Sequence, residues 1–417
     1  MRWRGSIATL VLAGLAGCAS CDQVPAGAVT DCNAQIVPGG AATDLLLVID
    51  DSGSMTPKQV KLADQLGTFI DQLLSSAIAL DLHVAVTNTS IDEYGTSTTS
   101  PGRASYLSGA FPGPPGTPFP AGTAVAIEQD PSGVGSAAHF MWGTSYDDPD
   151  HLVSTWGGPR LLSSSALSRA ELARDFKANV LQGNFGSGKE QPLRAMALAL
   201  AKAGAGRPNF SFQRDGARLA VVILTDEDDC SDSAAPYVTS DASCHNQANW
   251  GQLDPLPAYV STLTAVDAEP VVAVIGEYVG TTAKVCEAGP FPSGQPVPPA
   301  RLDQFLTLLD PAGTHTLRAS LCDDFGTTLL SVARMIVPQT MPLQQSPQDY
   351  RLMVVSVLKS SGVTQPCEIQ PAGSSGAAGA GVVYTPAPAG GLPSLTFQGV
   401  CRLGIGDRVD LRIVCAR

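Results

Sequence analysis

The chain reads as an α/β protein: an open, mostly parallel sheet flanked by helices, followed by a small C-terminal β module. Three observations carry this reading. Two runs of consecutive apolar residues, Leu45–Ile49 and Leu219–Leu224, have the length and continuity of strands covered on both faces. Segments with helical periodicity alternate with such strands across residues 43–340, as a layered α/β sheet requires. Beyond about residue 345 the period changes to two, with Val409, Leu411, Ile413 and Cys415 on one face of Arg408–Cys415 and Arg408, Asp410 and Arg412 on the other.

The elements follow in order. Residues 19–42, poor in large apolar side chains, read as a tether. After Leu45–Ile49, Pro57 sits where a first helical turn tolerates it. Leu62, Leu66, Phe69, Ile70, Leu73 and Leu74 then recur at helical spacing. Leu82–Thr87 is the next strand, completing the opening of a right-handed βαβ unit. Residues 89–165, rich in Pro and Gly between Pro101 and Gly122, read as an irregular insertion. Ser168–Leu181 and Glu190–Ala203 are expected as helices, Leu219–Thr225 as strand, Pro257–Val266 as helix and Pro270–Ile275 as strand. Two helices, Ala300–Leu309 and Asp324–Ile336, close the unit. In the C-terminal part, 345–417, Leu352–Leu358 and Ser394–Val400 are further strand candidates around a low-complexity stretch, Ala372–Gly381.

The most informative segment is Asp44–Met55, DLLLVIDDSGSM. Its apolar run ends in Asp50, and Ser52 and Ser54 follow at alternate positions. A strand stopping on such a loop can aim one carboxylate and two hydroxyls at a single point, and hard oxygen donors of this kind suit Mg²⁺ or Ca²⁺. Asp51, between them, reads as an exposed turn carboxylate. The second apolar strand also runs directly into an acid, Asp226, in LAVVILTDEDD. The acids that follow, Glu227, Asp228, Asp229 and Asp232, read as a solvated acidic loop, with a second Ca²⁺ site as the alternative.

The D-x-S-x-S pattern behind an apolar strand and ahead of an amphipathic helix resembles the first motif of the von Willebrand factor A (vWA) family. The resemblance covers roughly residues 43–340. It implies a metal-ion-dependent adhesion site in which Asp50, Ser52, Ser54 and Asp226 hold one divalent ion, and in which a carboxylate of a protein or surface partner completes the coordination. The family usually supplies a Thr from a second loop before a helix. Here that segment is 183–190, GNFGSGKE, with Asn184 nearest the Thr position and Ser187 as the other candidate.

The same loop imitates a P-loop from Gly183 to Lys189, but Glu190 stands where the Mg²⁺-holding hydroxyl belongs and would repel phosphate, so no nucleotide is expected. The net charge of −13 opposes nucleic-acid binding, which needs a basic surface. There is no G-x-S-x-G and no H-E-x-x-H, and the five histidines share no ligand spacing. The chain is therefore not expected to be an enzyme. The alternatives are an extracytoplasmic hydrolase using the 89–165 insertion, or an envelope scaffold with a degenerate metal site.

Arg2 and Arg4 precede the apolar run Ile7–Ala16 and the sequence Leu15-Ala16-Gly17-Cys18. This is a secretory leader too short to span a bilayer, and L-A-G-C resembles the bacterial lipobox. Residues 1–17 are expected to be removed and Cys18 lipidated, anchoring the chain in the cell envelope, with Ala19 favouring the Gram-negative outer membrane. Ten cysteines fit an oxidising compartment. Cys230–Cys244 and Cys286–Cys322 are the expected bridges, with Cys401–Cys415, or Cys367 with either, pinning the β module.

Overall fold

The computed structural model describes residues 30–31, 41–52, 54–89, 161–182, 189–201, 203–205, 209–232, 244–286, 296–343, 346–347, 349–373, 381–388 and 391–415. Asn184, Ser187, Cys18 and nearly all of the 89–165 insertion lie outside them.

A short strand β1 (Thr30–Asp31) precedes β2 (Ala41–Ile49), α1 (Thr56–Leu73), β3 (Leu80–Asn88) and β4 (Leu161–Ser163). Then follow α2 (Arg169–Val180), α3 (Pro192–Ala201), β5 (Arg218–Leu224), α4 (Leu256–Val266), β6 (Val271–Gly276), α5 (Ala300–Leu309), β9 (Thr316–Ser320) and α6 (Phe325–Ile336), with the hairpin β7 (Tyr278–Val279) and β8 (Thr282–Ala283) after β6. The central sheet has the order β4-β3-β2-β5-β6-β9. Only the β3–β4 pair is antiparallel; the other neighbours run parallel.

Alternation along β2 divides its side chains between two cores. Leu45, Leu47 and Ile49 meet α1, α2 and α6 through Leu62, Leu66, Phe69, Phe176, Phe325 and Val332. Leu46 and Val48 meet α3, α4 and α5 through Leu193, Met196, Leu263, Phe305 and Leu306. Every one of these is buried, each contributing about 1.5–3 kcal/mol of transfer free energy. This double coverage explains why β2 and β5 are apolar without a break.

The strand order matters for function. The chain steps from β2 to β3 on one side, then returns to place β5 on the other side of β2. The connections thus diverge at the C-terminal ends of β2 and β5, leaving a crevice there of the kind in which open α/β sheets bind ligands.

The C-terminal part forms two four-stranded sheets, β1-β16-β11-β12 and β10-β15-β14-β13. Their strands are β10 (Thr340–Pro342), β11 (Met353–Leu358), β12 (Thr364–Cys367), β13 (Ile369–Pro371), β14 (Val382–Thr385), β15 (Ser394–Phe397) and β16 (Arg408–Cys415). Between them Met353, Val355, Val357, Val382, Leu395 and Phe397 build a third core that also takes in Ile78 and Val337 from the α/β unit. Within the segment read as a tether, Thr30 and Asp31 pair with Cys415 and Val414 of β16. Cys401 is bonded to Cys367 rather than to Cys415. Cys230 is joined to Cys244 and Cys286 to Cys322. Among the described residues no helix is long and apolar enough to cross a membrane.

Candidate functional site

Asp50 and Asp226 stand at the lip of the crevice. Ile49 and Leu224 are register partners at the ends of β2 and β5, and the Asp50 amide donates to the Leu224 carbonyl at 2.9 Å, so the sheet brings Asp50 and the start of the loop that carries Asp226 to the same strand ends. Asp50 is fully buried and Asp226 nearly so. One Asp50 oxygen accepts from the Ser52 amide at 2.8 Å, and the other from the Thr225 hydroxyl at 2.8 Å. That first bond turns the chain sharply after β2 and brings the Ser52 and Ser54 hydroxyls within 3.3 Å of each other. Gln59, from the first turns of α1, donates to the Asp50 carbonyl at 2.8 Å and holds the turn against the helix.

The electrostatics of this group are unfavourable as it stands. Burial, and then the charge of Asp226, push the Asp50 carboxyl up to about 7, against the hydrogen bonds from Ser52 and Thr225. Asp226 receives the Lys58 ammonium on Oδ2 at 2.5 Å, while its Oδ1 is buried without a hydrogen-bond partner among the described residues.

A further carboxylate enters from the second loop. Glu190, two residues before α3, is fully buried; one of its oxygens accepts from the Thr89 hydroxyl, and Oε1 has no hydrogen-bond partner among the described residues. Burial, and then the charges of Asp50, Glu227 and Asp51, raise it well above the usual carboxylate range. Sequence reasoning missed Glu190, Thr89, Thr225 and Lys58. One signal for Glu190 was present: it is the single acid between Asp175 and Asp215.

Two readings of the acids are corrected. Asp51 is 1% exposed, not a surface turn residue. The run after β5 is not a solvated loop either, since Asp226, Glu227, Asp228, Asp229 and Asp232 are all buried. Local partners make this burial tolerable. Asp228 accepts from the amides of Arg301 and Leu302 and so caps the N-terminus of α5. Burial still pushes it up to about 7, with the Asp229 charge adding to the shift. Asp229 takes the Arg301 guanidinium at 2.8 Å, and Asp232 the Lys189 ammonium at 2.6 Å. These acids are tied to the frame.

The donor set at the crevice fits a hard divalent cation: two strand-end carboxylates, two hydroxyls 3.3 Å apart, and a buried Asp226 oxygen with no hydrogen-bond partner among the described residues. Among the described residues, two groups of three acidic, His or Cys side chains have ligand atoms close enough together for a metal, and neither lies at the ends of β2 and β5: Cys230, Cys244 and His245, and Glu277, Cys286 and Cys322. In both, the sulfurs are already committed to disulfides. His83 lies elsewhere, half-buried in β3 with Nδ1 3.9 Å from Asp44, near the opposite edge of the sheet.

No family model and no curated protein matches the chain. Among solved structures, the pilus adhesin SpaC of Lactobacillus rhamnosus GG aligns with a TM-score of 0.38 and 12% identity, over 90% of this chain and 39% of that one. Proximal thread matrix protein 1 of the mussel byssus aligns at 0.33 and 10%, over 73% of this chain and 50% of that one. The manganese-loaded TRAP protein of Plasmodium vivax aligns at 0.29 and 11%, over 79% and 93%. The chain thus spans half or less of the first two. These weak likenesses carry no part of the argument for the site, which rests on the chain's own strands and side chains.

Proposed function

We propose that this protein binds a protein or surface ligand through one divalent cation, Mg²⁺ or Ca²⁺, seated on Asp50, Ser52, Ser54 and Asp226. The observation that carries the reading is the placement of two buried carboxylates at the ends of neighbouring strands, the charge of one acting on the other, and one of them with an oxygen that has no hydrogen-bond partner among the described residues. A bound divalent cation would supply a Lewis-acidic position open to an oxygen ligand. The residues divide the remaining work. Thr225 and the Ser52 amide fix the Asp50 carboxylate, Gln59 fixes the loop, and the paired serine hydroxyls offer neutral donors that leave the ion's charge partly uncompensated. A partner carboxylate is the group such a site favours.

The test is calorimetric titration of Mg²⁺ and Ca²⁺ into wild type and Asp50→Ala, together with recovery of partners from envelope extract with and without chelator. Loss of ion uptake and of chelator-sensitive partner binding in the variant is the expected result. Equal uptake by both proteins would defeat the reading.

A second reading has one observation in its favour. The Lys58 ammonium already stands on Asp226, as it would in a scaffold whose site needs no metal. It predicts partner binding indifferent to chelator. The hydrolase alternative places its chemistry in the 89–165 insertion, almost all of it outside the described residues; turnover surviving Asp50→Ala would support it.

The anchoring belongs to the same proposal. The leader ending in Leu15-Ala16-Gly17-Cys18 supports a lipidated Cys18 and an envelope location, the outer membrane of a Gram-negative cell being the one Ala19 favours. Mass spectrometry of the mature N-terminus should find acylated Cys18.

A further inference from the structure

We propose that Glu277, Cys286 and Cys322 form a redox-gated zinc site, closed while the two cysteines are bridged and opened when an outside dithiol reduces them. It is independent of the cation seat at Asp50 and draws on different chemistry.

Gly276 and Ser320 are register partners at the ends of β6 and β9, so Glu277 and Cys322 leave neighbouring strands at the same edge of the sheet. The hairpin of β7 and β8 then leads the chain to Cys286. One ligand atom from each of the three residues lies within 4.8 Å of the other two. Glu277 is fully buried, Cys286 half-buried and Cys322 exposed, so a buried carboxylate backs a bridge that reaches the surface. Cys230–Cys244 and Cys367–Cys401 are both buried. Among the described bridges, Cys286–Cys322 is therefore the one a reductant reaches first.

Each cysteine is held in place by bonds other than the disulfide. The Cys286 amide donates to Glu277 Oε2 at 2.6 Å, and the Lys284 amide to the Glu277 carbonyl at 3.0 Å. The Cys322 amide donates to the Ser320 hydroxyl at 3.1 Å, which itself donates to the Tyr278 carbonyl at 2.6 Å. Lys61 of α1 grips the same turn, its ammonium 2.8 Å from the Leu321 carbonyl and 2.7 Å from that of Asp323. Opening the bridge thus leaves both backbones where they stand.

The reduction balances with a dithiol as the two-electron donor. Its thiolate attacks the exposed Cys322 sulfur and Cys286 leaves as a thiolate. The second thiol then closes the dithiol to its own disulfide and releases Cys322. Two thiolates and a carboxylate suit Zn²⁺, with sulfur at about 2.3 Å and oxygen at about 2.0–2.2 Å in a tetrahedron. Sulfurs on one such ion stand roughly 3.8 Å apart, a span that side chains on Cα atoms 6.1 Å apart reach by rotation. Glu277 accepts the Cys286 amide and still has lone pairs for an ion. The fourth position falls to water at the exposed Cys322 end. Mg²⁺ and Ca²⁺, which take oxygen shells, do not suit this set.

The experiment reduces the full chain with a dithiol, removes the dithiol under argon, and titrates Zn²⁺ or Co²⁺ into it. Peptide mapping verifies that Cys286 and Cys322 are free thiols. Reduced wild type should bind one ion at this site, release up to about two protons and show a thiolate-to-cobalt charge-transfer band; the oxidised chain should show none. Glu277→Gln should keep the band and bind Zn²⁺ at least about tenfold more weakly. The double variant Cys286→Ser, Cys322→Ser should lose the band, and Asp50→Ala should keep it. A reduced wild type without the band would overturn the site. So would a band that survives in the double variant, since the ion would then sit on other sulfurs. Unchanged Zn²⁺ affinity in Glu277→Gln would remove the carboxylate from the site and with it the proposal. Loss of Mg²⁺ uptake in Asp50→Ala with this band intact would show the two sites to be separate.

Discussion

Lys58 places its ammonium 2.5 Å from Asp226 Oδ2, with both side chains more than nine-tenths buried. The lysine comes from the first turn of α1 and the aspartate from the end of β5, so the pair ties the helix to the central sheet across the mouth of the crevice. Its charge has two opposite consequences. In the metal-free protein it neutralises an acid that burial would otherwise penalise. Towards a divalent cation at the same carboxylate it is a like charge at close range.

Lys58→Met separates these effects. Removing one partner of a buried pair leaves the other uncompensated and typically destabilises by about 3–5 kcal/mol. In chelator the variant should therefore unfold at clearly lower denaturant concentration than wild type. Adding Mg²⁺ or Ca²⁺ should restore most of the loss, and the ion should bind more tightly than in wild type. Urea melts with and without the ion, with calorimetric affinities, decide it. An ion that rescues nothing and binds no better would mean that the Lys58 ammonium is the only cation this carboxylate meets.

The pH dependence follows from the buried acids. In the folded protein Asp50 sits at about 7, against an ordinary 3.8, and Glu190 is also raised. Between the ordinary and folded values the native state holds protons that the unfolded chain has released. Metal-free stability is therefore fully present at the acid end of this window and falls as pH rises through about 7, by a few kcal/mol at most. An ion needs Asp50 ionised, so its stabilising effect should change in the opposite direction, small near pH 5 and large near pH 8. Thermal melts at both ends, with chelator or with saturating Mg²⁺, test the crossing. A metal-free protein that gains stability from pH 5 to pH 8 would contradict the assignment of Asp50 as a raised acid.

The Cys230–Cys244 bridge closes the segment that follows the acidic run, and Trp250 packs against it while donating to the Cys244 carbonyl at 3.1 Å. Cys230 also gives its amide to Glu190. Replacing both cysteines by Ser should remove about 3 kcal/mol of chain-entropy stabilisation, read as a lower urea midpoint. A double variant with the wild-type urea midpoint would show that the other contacts of this segment hold it without the bridge.

These relationships were unevenly legible in the sequence. Asp50 and Asp226 could be read because doubly covered strands must be continuously apolar, and each run stops on an acid. β9 could not, because Thr316–Ser320 offers only Leu317 and Ala319 as apolar residues, and Arg318 within it reaches across to Asp303 of α5 at 2.5 Å. An edge strand needs no second apolar face. Glu190 was visible as a residue but not as a neighbour of Asp50. Its place is set by backbone bonds to Thr89 and Cys230, about 100 and 40 positions away in the chain. The burial of Asp228 and Asp229 was hidden for the same reason, since the groups that compensate them belong to α5, more than 70 residues further on.

Arg301 provides the contrast that separates cation seat from frame. Its guanidinium is 4% exposed, donates through Nε to Asp229 at 2.8 Å and also bonds the Asp254 carbonyl. Asp229 in turn accepts from the Ser231 hydroxyl at 2.5 Å and the Leu193 amide at 3.1 Å, so a single carboxylate gathers α5, α3 and the acidic loop. Arg301→Met should destabilise by about 3–5 kcal/mol, as Lys58→Met does. Arg301→Lys keeps the charge but loses the planar fork, and should recover part of this. Neither loss should respond to Mg²⁺ or Ca²⁺, because both Asp229 oxygens are already engaged by donors of the frame. Urea midpoints for the four proteins, each with and without the ion, give the comparison. Rescue of Arg301→Met by the ion to the same extent as Lys58→Met would mean that Asp229 belongs to the seat, and that the division between frame and seat drawn along this acidic run is misplaced.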